Sequence, residues 1–410
     1  MKRLLAVRDF RRLWLSHVVS SFGDALTNLA LLILTQRLTG STAAVATTAV
    51  AVALPQLLFG LFAGVLVDRW DRKKVMIASD LARAFLVLGF LAVSTPDLMW
   101  LLYVVAFVQA SIGTLDNPAR SAVLPQIVGK DELLAANSFF QSTIIVVGVA
   151  GTATAGLIAG IFDTLAVAFV IDAATFAASA ALVAGLAVGG RPSPSIAKSD
   201  VESDGGMWRE LRTGLRYIVS SSMLRMVVVT AGVVMLGLGA VNVLLVPFIV
   251  DELAVPETWF GLLEAAQVTS MVLAGALIAV VAKRIRPGSL LVIGLTGVAA
   301  VVAAMSLARS VWHLIALLFA VGWFVTPTQA AISTVIQREV PREALGRVSS
   351  TLGTVTTTAQ VASMGLSGVA AAFLGIRSVF VVAGVITLLA AGFSLAAQRS
   401  SSSRVPLEAS

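Results

Sequence analysis

Gly64-Val65-Leu66-Val67-Asp68-Arg69-Trp70-Asp71-Arg72-Lys73-Lys74 is the stretch whose reading decides the fold. Two carboxylates and four cations fall within Asp68–Lys74. Upstream, residues 43–67 hold no charged side chain, and downstream 75–95 is again mostly apolar. A helix crossing a bilayer needs about 20 apolar residues, so both flanks are long enough to span. A basic cluster between two spans marks the cytoplasmic side. Gly64 lets another helix approach closely. Asp68 sits at the membrane edge, where a charge is costly unless it is paired or caps a helix N-terminus. Arg69, Arg72, Lys73 and Lys74 offer partners.

The whole chain repeats this texture. Of 410 residues, 58% are hydrophobic and only 12% are charged, half the usual share of about 25% for a soluble domain. Leu133 to Phe162 and Val348 to Ile376 carry no formal charge. Uniform runs of this kind exclude a soluble enzyme, a disordered chain and a fibrous protein, and argue against a β-barrel, whose strands alternate. The chain has no cysteine and two histidines, His17 and His313. Disulfides, thiol nucleophiles and cysteine metal sites are thereby excluded, and neither a metal nor a cofactor is expected.

Twelve spans are read, at 13–36, 43–67, 75–95, 98–117, 137–160, 164–187, 224–250, 258–281, 288–308, 311–332, 347–371 and 377–397. No cleavable signal peptide is evident, since Arg8, Arg11 and Arg12 interrupt the start. With the N-terminus inside, 25 of the 29 Lys and Arg fall on the inner side. Only Arg37, Arg309 and Arg377 fall outside, and Arg83 lies within a span. The net charge of +7 therefore sets topology. Both termini are expected in the cytoplasm, and nucleic acid is not expected as a partner.

Gly189 to Gly206 reads as a flexible Pro/Ser/Gly-rich linker. After it, Trp208, Leu211, Leu215 and Ile218 share one helix face, with Arg209, Arg212 and Arg216 on a neighbouring face. This pattern describes an amphipathic helix on the inner membrane surface. The expected organisation is an N-terminal bundle over 1–188, a linker with that helix over 189–222, and a C-terminal bundle over 223–410. The halves echo each other. Val128-Gly129-Lys130-Asp131-Glu132-Leu133 matches Val340-Pro341-Arg342-Glu343-Ala344-Leu345 at an offset of 212 residues. Pro118 and Pro327, Ala63–Leu66 and Ala274–Leu277, and Asn28 and Asn242 match at nearly the same offset. Repeated halves are a transporter architecture, with the substrate site near the midplane.

The opening motif resembles the G-x-x-x-D-R-x-[GD]-R-[RK]-[RK] signature of the major facilitator superfamily, at the family's own position. The likeness extends along the chain through Gly23-Asp24, Asp80-Leu81-Ala82-Arg83, Asn117–Pro125, Leu133–Ser138 and Ile171–Phe176. It is nearest to the drug-efflux branch that includes macrolide and siderophore exporters. The resemblance implies two pseudo-symmetric six-helix bundles that rock about a central site. It also implies a conformational latch made of Gly64, Asp68, Arg69 and Arg72, with Arg72 pairing Asp116. Ala279 stands where Asp68 would repeat, so one latch is expected. Span five carries Gly148, Gly151, Gly156 and Gly160 without the proline of the antiporter motif.

Buried acids supply the candidate proton sites, because desolvation disfavours an unpaired carboxylate's charged form. Asp24 lies near the middle of span one. His17, Ser20, Asp24, Asn28 and Thr35 lie broadly along one face, which must avoid lipid. Asp172 lies in span six with Thr175, Phe176 and Ser179. Glu264 lies in span eight, where Phe260, Glu264, Gln267 and Met271 fall on one face suited to an amphipathic cargo. Asp80 and Arg83, three residues apart, are expected to pair locally. Asn28, Asn242, Gln267, Phe260 and Trp323 are the candidate cargo contacts, and Asp24, Glu264 and Asp172 the proton-coupling acids.

These readings converge on an all-α, twelve-span exporter of amphipathic, cationic or zwitterionic small organic molecules (drug or siderophore-like), monomeric and driven by proton antiport in a bacterial inner membrane. A lysophospholipid or lipid-like flippase of the same fold is the alternative. A membrane-embedded hydrolase would need a Ser–His pair, an aspartyl dyad or metal ligands, and neither histidine has such partners in sequence. A scaffold or sensor would normally append a soluble domain.

Overall fold

The computed structural model describes residues 2–187, 207–281, 287–341 and 344–402. Every regular element among them is helical, and twelve helices are long and apolar enough to cross a membrane. Each matches one expected span in order. Several run past the apolar stretch that marks them: span one covers Arg8–Thr39, span four Pro96–Ile127 and span ten Val311–Glu339. Hydropathy marks the part that avoids water, while the backbone ladder continues for as long as its hydrogen bonds can be made.

Punctuation between helices is local. Gly40 adopts φ +56 and returns its N–H to the Gln36 carbonyl at 2.8 Å, ending span one. Such a left-handed residue is a glycine position. Ser41 then accepts from the Ala44 N–H and opens the helix Thr42–Arg69. Asp71 does the same for the next helix by accepting from Lys74 N–H at 3.1 Å. The decisive motif is thus helix end, cap and helix start in one stretch. Span four is interrupted at Thr114 and Leu115, between Met99–Gly113 and Asp116–Ile127. Pro118 explains the interruption: it has no N–H to give, and its ring crowds the carbonyl four residues back.

Two compact units result. The first comprises Met1–Ser203 with Ala254–Glu264, and the second Asp204–Leu253 with Ala265–Ser410. In the first, span one packs on spans five and six, and span three on spans four and six. In the second, span seven packs on spans eleven and twelve, and span nine on spans ten and twelve. The same pairings recur six spans apart, which is the structural form of the sequence repeat. The start of span eight belongs to the first unit because glycines of span five admit it. A Cβ at Gly156 would stand 2.6 Å from the Glu257 carbonyl, and one at Gly160 would collide with Thr258 Cγ2. Arg37 closes this contact with an ion pair to Glu257 at 2.9 Å.

The linker expected over 189–206 lies outside the described residues. The helix after it forms over Met207–Ser220. Ile218 is buried in the core of the second unit with Leu291, Leu295, Val335 and Val348, while Leu215 is exposed.

Candidate functional site

Spans one to four of the first unit enclose a polar cavity of about 320 Å³, with Ile144 of span five at its edge. Span one supplies His17, Ser21, Asp24, Thr27 and Asn28. Gln56 comes from span two, Arg83 from span three, and Gln109, Asp116 and Asn117 from span four. The expected polar stripe on span one is therefore partly redrawn. Ser20 is buried, with its hydroxyl on the His17 carbonyl, and Thr35 is tied to Thr48 at 2.8 Å between two helices. Ser21 and Thr27 take their places on the cavity wall.

Asp24 is paired with the Arg83 guanidinium across 59 positions of sequence. The expectation of a local Asp80–Arg83 pair gives way to this longer connection. Arg83 points into the bundle, where its Cζ stands 4.1 Å over the Phe176 ring, while Asp80 turns to span six and accepts from Ser179 Oγ at 2.6 Å. Asp172 is fully buried and accepts from Thr27 Oγ1 at 2.6 Å and Thr175 Oγ1 at 3.2 Å. Gly23 makes this approach possible. A Cβ there would run into both Asp172 Oδ1 and Thr175 Oγ1, so the Gly23-Asp24 pair of the sequence has a steric cause.

Asp116 corrects another expectation. The resemblance implied a pair with Arg72, but Asp116 pairs with Arg120 one turn along its own helix. Arg72 instead meets Asp68, also one turn away, at 3.4 Å. In both cases a partner four residues off is in reach without any help from distant packing. Arg72 is buried and Asp68 is exposed, with 68% of its side chain open. Arg69 is exposed. The Cβ position at Gly64 meets nothing within 4 Å, so no helix among the described residues uses the close approach that this glycine permits.

Arg83 lies within electrostatic reach of Asp24, Asp116, Asp172 and Asp80. Four carboxylates therefore share this region with two guanidinium groups, those of Arg83 and Arg120. Isolated buried charges are costly by several kcal/mol each, so such a group persists only as a network. Arg83, Asp80, Arg120, Gln56 and Gln109 were not among the residues read from sequence as functional. The signal for Arg83 was present: it lies deep inside an expected span, whereas Arg225, Arg347 and Arg377 stand at the first or second position of theirs.

The remaining candidates are spread out. Asn28 is exposed on the cavity wall. Phe260 is buried and Glu264 half-buried at the start of span eight, within the first unit. Gln267, Asn242 and Trp323 belong to the second unit. There Asn242 is exposed, and Trp323 packs edge-on against Phe319 with centroids 6.5 Å apart.

Residues 4–405 match the family described as transmembrane secretion effector. The chain belongs to that family, and so to the major facilitator superfamily of transporters, in its efflux branch. Macrolide efflux protein A of Streptococcus pyogenes is 24% identical over 385 residues, covering 92% of this chain and 93% of that protein. Among solved structures, the nucleoside transporter NupG superposes with a TM-score of 0.76 at 12% identity, covering 95% of this chain and 98% of that one. A bacterial homologue of the human lysosomal transporter Spinster gives a TM-score of 0.76 at 15% identity, covering 97% and 98%. At these identities the structures speak for the fold. The protein is a twelve-span major facilitator transporter.

Proposed function

We propose that this transporter exports amphipathic organic molecules across a bacterial inner membrane, with proton entry as the driving reaction. The observation that supports the coupling is the first unit's carboxylate network. Four acids against two arginines leave a negative excess in a largely buried site beside a polar cavity. A proton, or a cationic group of the cargo, is what such a site takes up. Asp24 is the acid best placed to exchange it, because its carboxylate reaches the cavity and is 36% exposed, whereas Asp172 is sealed behind Thr27 and Thr175. Asp172 then serves as a buried second acid behind it, and Glu264 of span eight as a weaker contributor.

Arg83 holds the network together. When Asp24 is neutralised by a proton, the guanidinium is released from that partner and rebalances among Asp116, Asp172 and Asp80. A protonation event thereby becomes a shift in the packing of spans one, three, four and six. The drive is sufficient: about 2.3 kcal/mol is available per charge per 100 mV. The 24% likeness to macrolide efflux protein A supports outward transport of an organic cargo. Asp68 and Arg72, with Gly64 and Arg69, form the conformational latch of this proposal, and both termini face the cytoplasm.

Reconstitution tests the reading. Purified protein in liposomes should move an amphipathic fluorescent cargo against its gradient when a pH difference is imposed. Flux indifferent to pH, combined with transfer of labelled lysophospholipid between leaflets, would replace this reading with the flippase alternative.

A further inference from the structure

A second cavity, of about 800 Å³, lies wholly within the second unit between spans seven, ten and eleven. None of its lining residues is ionisable. Its polar wall comes from two helix faces. Gln329, Ser333 and Gln337 follow each other at intervals of four on span ten, and Ser349 and Thr356 lie seven apart on span eleven. The opposite surface is apolar, with Val234, Met235, Ile332 and Leu352. A polar stripe on a helix this apolar faces protein or water, not lipid. The volume falls within the range of roughly 300–1,000 Å³ that holds drug-sized ligands.

Thr356 donates its hydroxyl to the Leu352 and Gly353 carbonyls at 3.0 and 2.9 Å, which leaves its oxygen as an acceptor. Gln337 donates to Ser333 Oγ at 3.2 Å, leaving its own carbonyl oxygen as acceptor. The Gln329 amide, the second N–H of Gln337 and the hydroxyls of Ser333 and Ser349 add donors, so the wall can both accept and donate, and it carries no charge with which to hold an ion. Gly353 completes it: a Cβ there would meet nothing within 4 Å, so the missing side chain leaves open space.

We infer that this cavity is a binding site for an uncharged amphipath carrying several hydroxyl or amide groups on an apolar body. Naming that ligand as cargo rests on the transport reading above; the binding itself does not. The assignment narrows the cargo, because a permanent cation would find no counter-charge here. It also separates the group that binds ligand from the acids that bind protons. None of Asn242, Gln267 or Trp323 lines this cavity. Its polar residues escape a search for ionisable groups and show only as a four-residue spacing of amides and hydroxyls.

Equilibrium dialysis of 4-methylumbelliferyl β-glucoside against the full chain in lipid nanodiscs tests the site. Wild type should bind the glucoside saturably, and excess tetraphenylphosphonium should not displace it. Gly353→Leu extends a side chain into the cavity from a Cβ that meets nothing within 4 Å and should weaken binding about tenfold or more. Gly346→Leu is the control: it sits on the same helix, faces open space and lies outside the cavity, and should bind as wild type does. No saturable binding, displacement by the cation, or equal affinity in Gly353→Leu and wild type would overturn the assignment. Intact glucoside binding without any pH-driven flux would count against the transport reading alone.

Discussion

The Asp24–Arg83 pair can be weighed directly. Two unit charges about 4 Å apart attract by about 4 kcal/mol at an effective dielectric constant of 20. Arg83 is buried, but 36% of the Asp24 side chain is exposed, so water screens the pair and about 2 kcal/mol of coupling is expected. Asp24→Asn and Arg83→Gln should each destabilise the protein, Arg83→Gln more, because it leaves Asp80, Asp116 and Asp172 facing one cation fewer. In a double-mutant cycle the combined variant should recover about 2 kcal/mol relative to the sum of the single variants. For a unit of this size that is about 4–8 °C in apparent melting temperature. Thermal unfolding followed by tryptophan fluorescence in nanodiscs reads the difference. Additivity of the two losses, within about 0.5 kcal/mol, would refute the idea that this pair organises the site.

Three further outcomes follow from particular contacts. Gly151→Ala places a Cβ 2.6 Å from the Phe22 carbonyl, where span five crosses span one, and should lower stability by about 1–3 kcal/mol; Gly148→Ala, which meets nothing, should be neutral or slightly stabilising in the same melt. Asp68→Asn removes an exposed partner of Arg72 and should change the melting temperature little, by less than about 1 kcal/mol equivalent, while transport falls if Asp68 serves as a latch; equal loss of both would assign it to folding. Single cysteines at Asp97 and Asp163 should react with an impermeant maleimide in intact cells, whereas those at Asp71 and Asp131 should not, and labelling of the second pair would invert the topology.

The span count was legible because hydropathy integrates over about 20 residues and tolerates local error. The repeat was legible because both halves solve the same packing problem with the same short motifs. The opening motif was read as a boundary between two helices, but its cap was offered at Asp68, whereas Asp71 is the residue that accepts from Lys74 N–H. Charge pairing was not legible. Asp24 and Arg83 meet only because spans one and three share a bundle, and Asp80 is closer in sequence but points toward Ser179. Asp116 was assigned to Arg72 by resemblance, while Arg120 stood one turn away on the same helix. The second cavity was missed for another reason: its polar groups are uncharged and each, alone, is ordinary in a membrane helix.

The central claim is that protons drive transport through the first unit's acids. It is tested most directly in proteoliposomes with the voltage clamped, by imposing a pH gradient and following cargo accumulation in wild type and Asp24→Asn. The account predicts uphill accumulation by wild type, and its loss in Asp24→Asn with downhill exchange retained. Full pH-driven accumulation by Asp24→Asn, or a wild type that ignores the gradient, would contradict it.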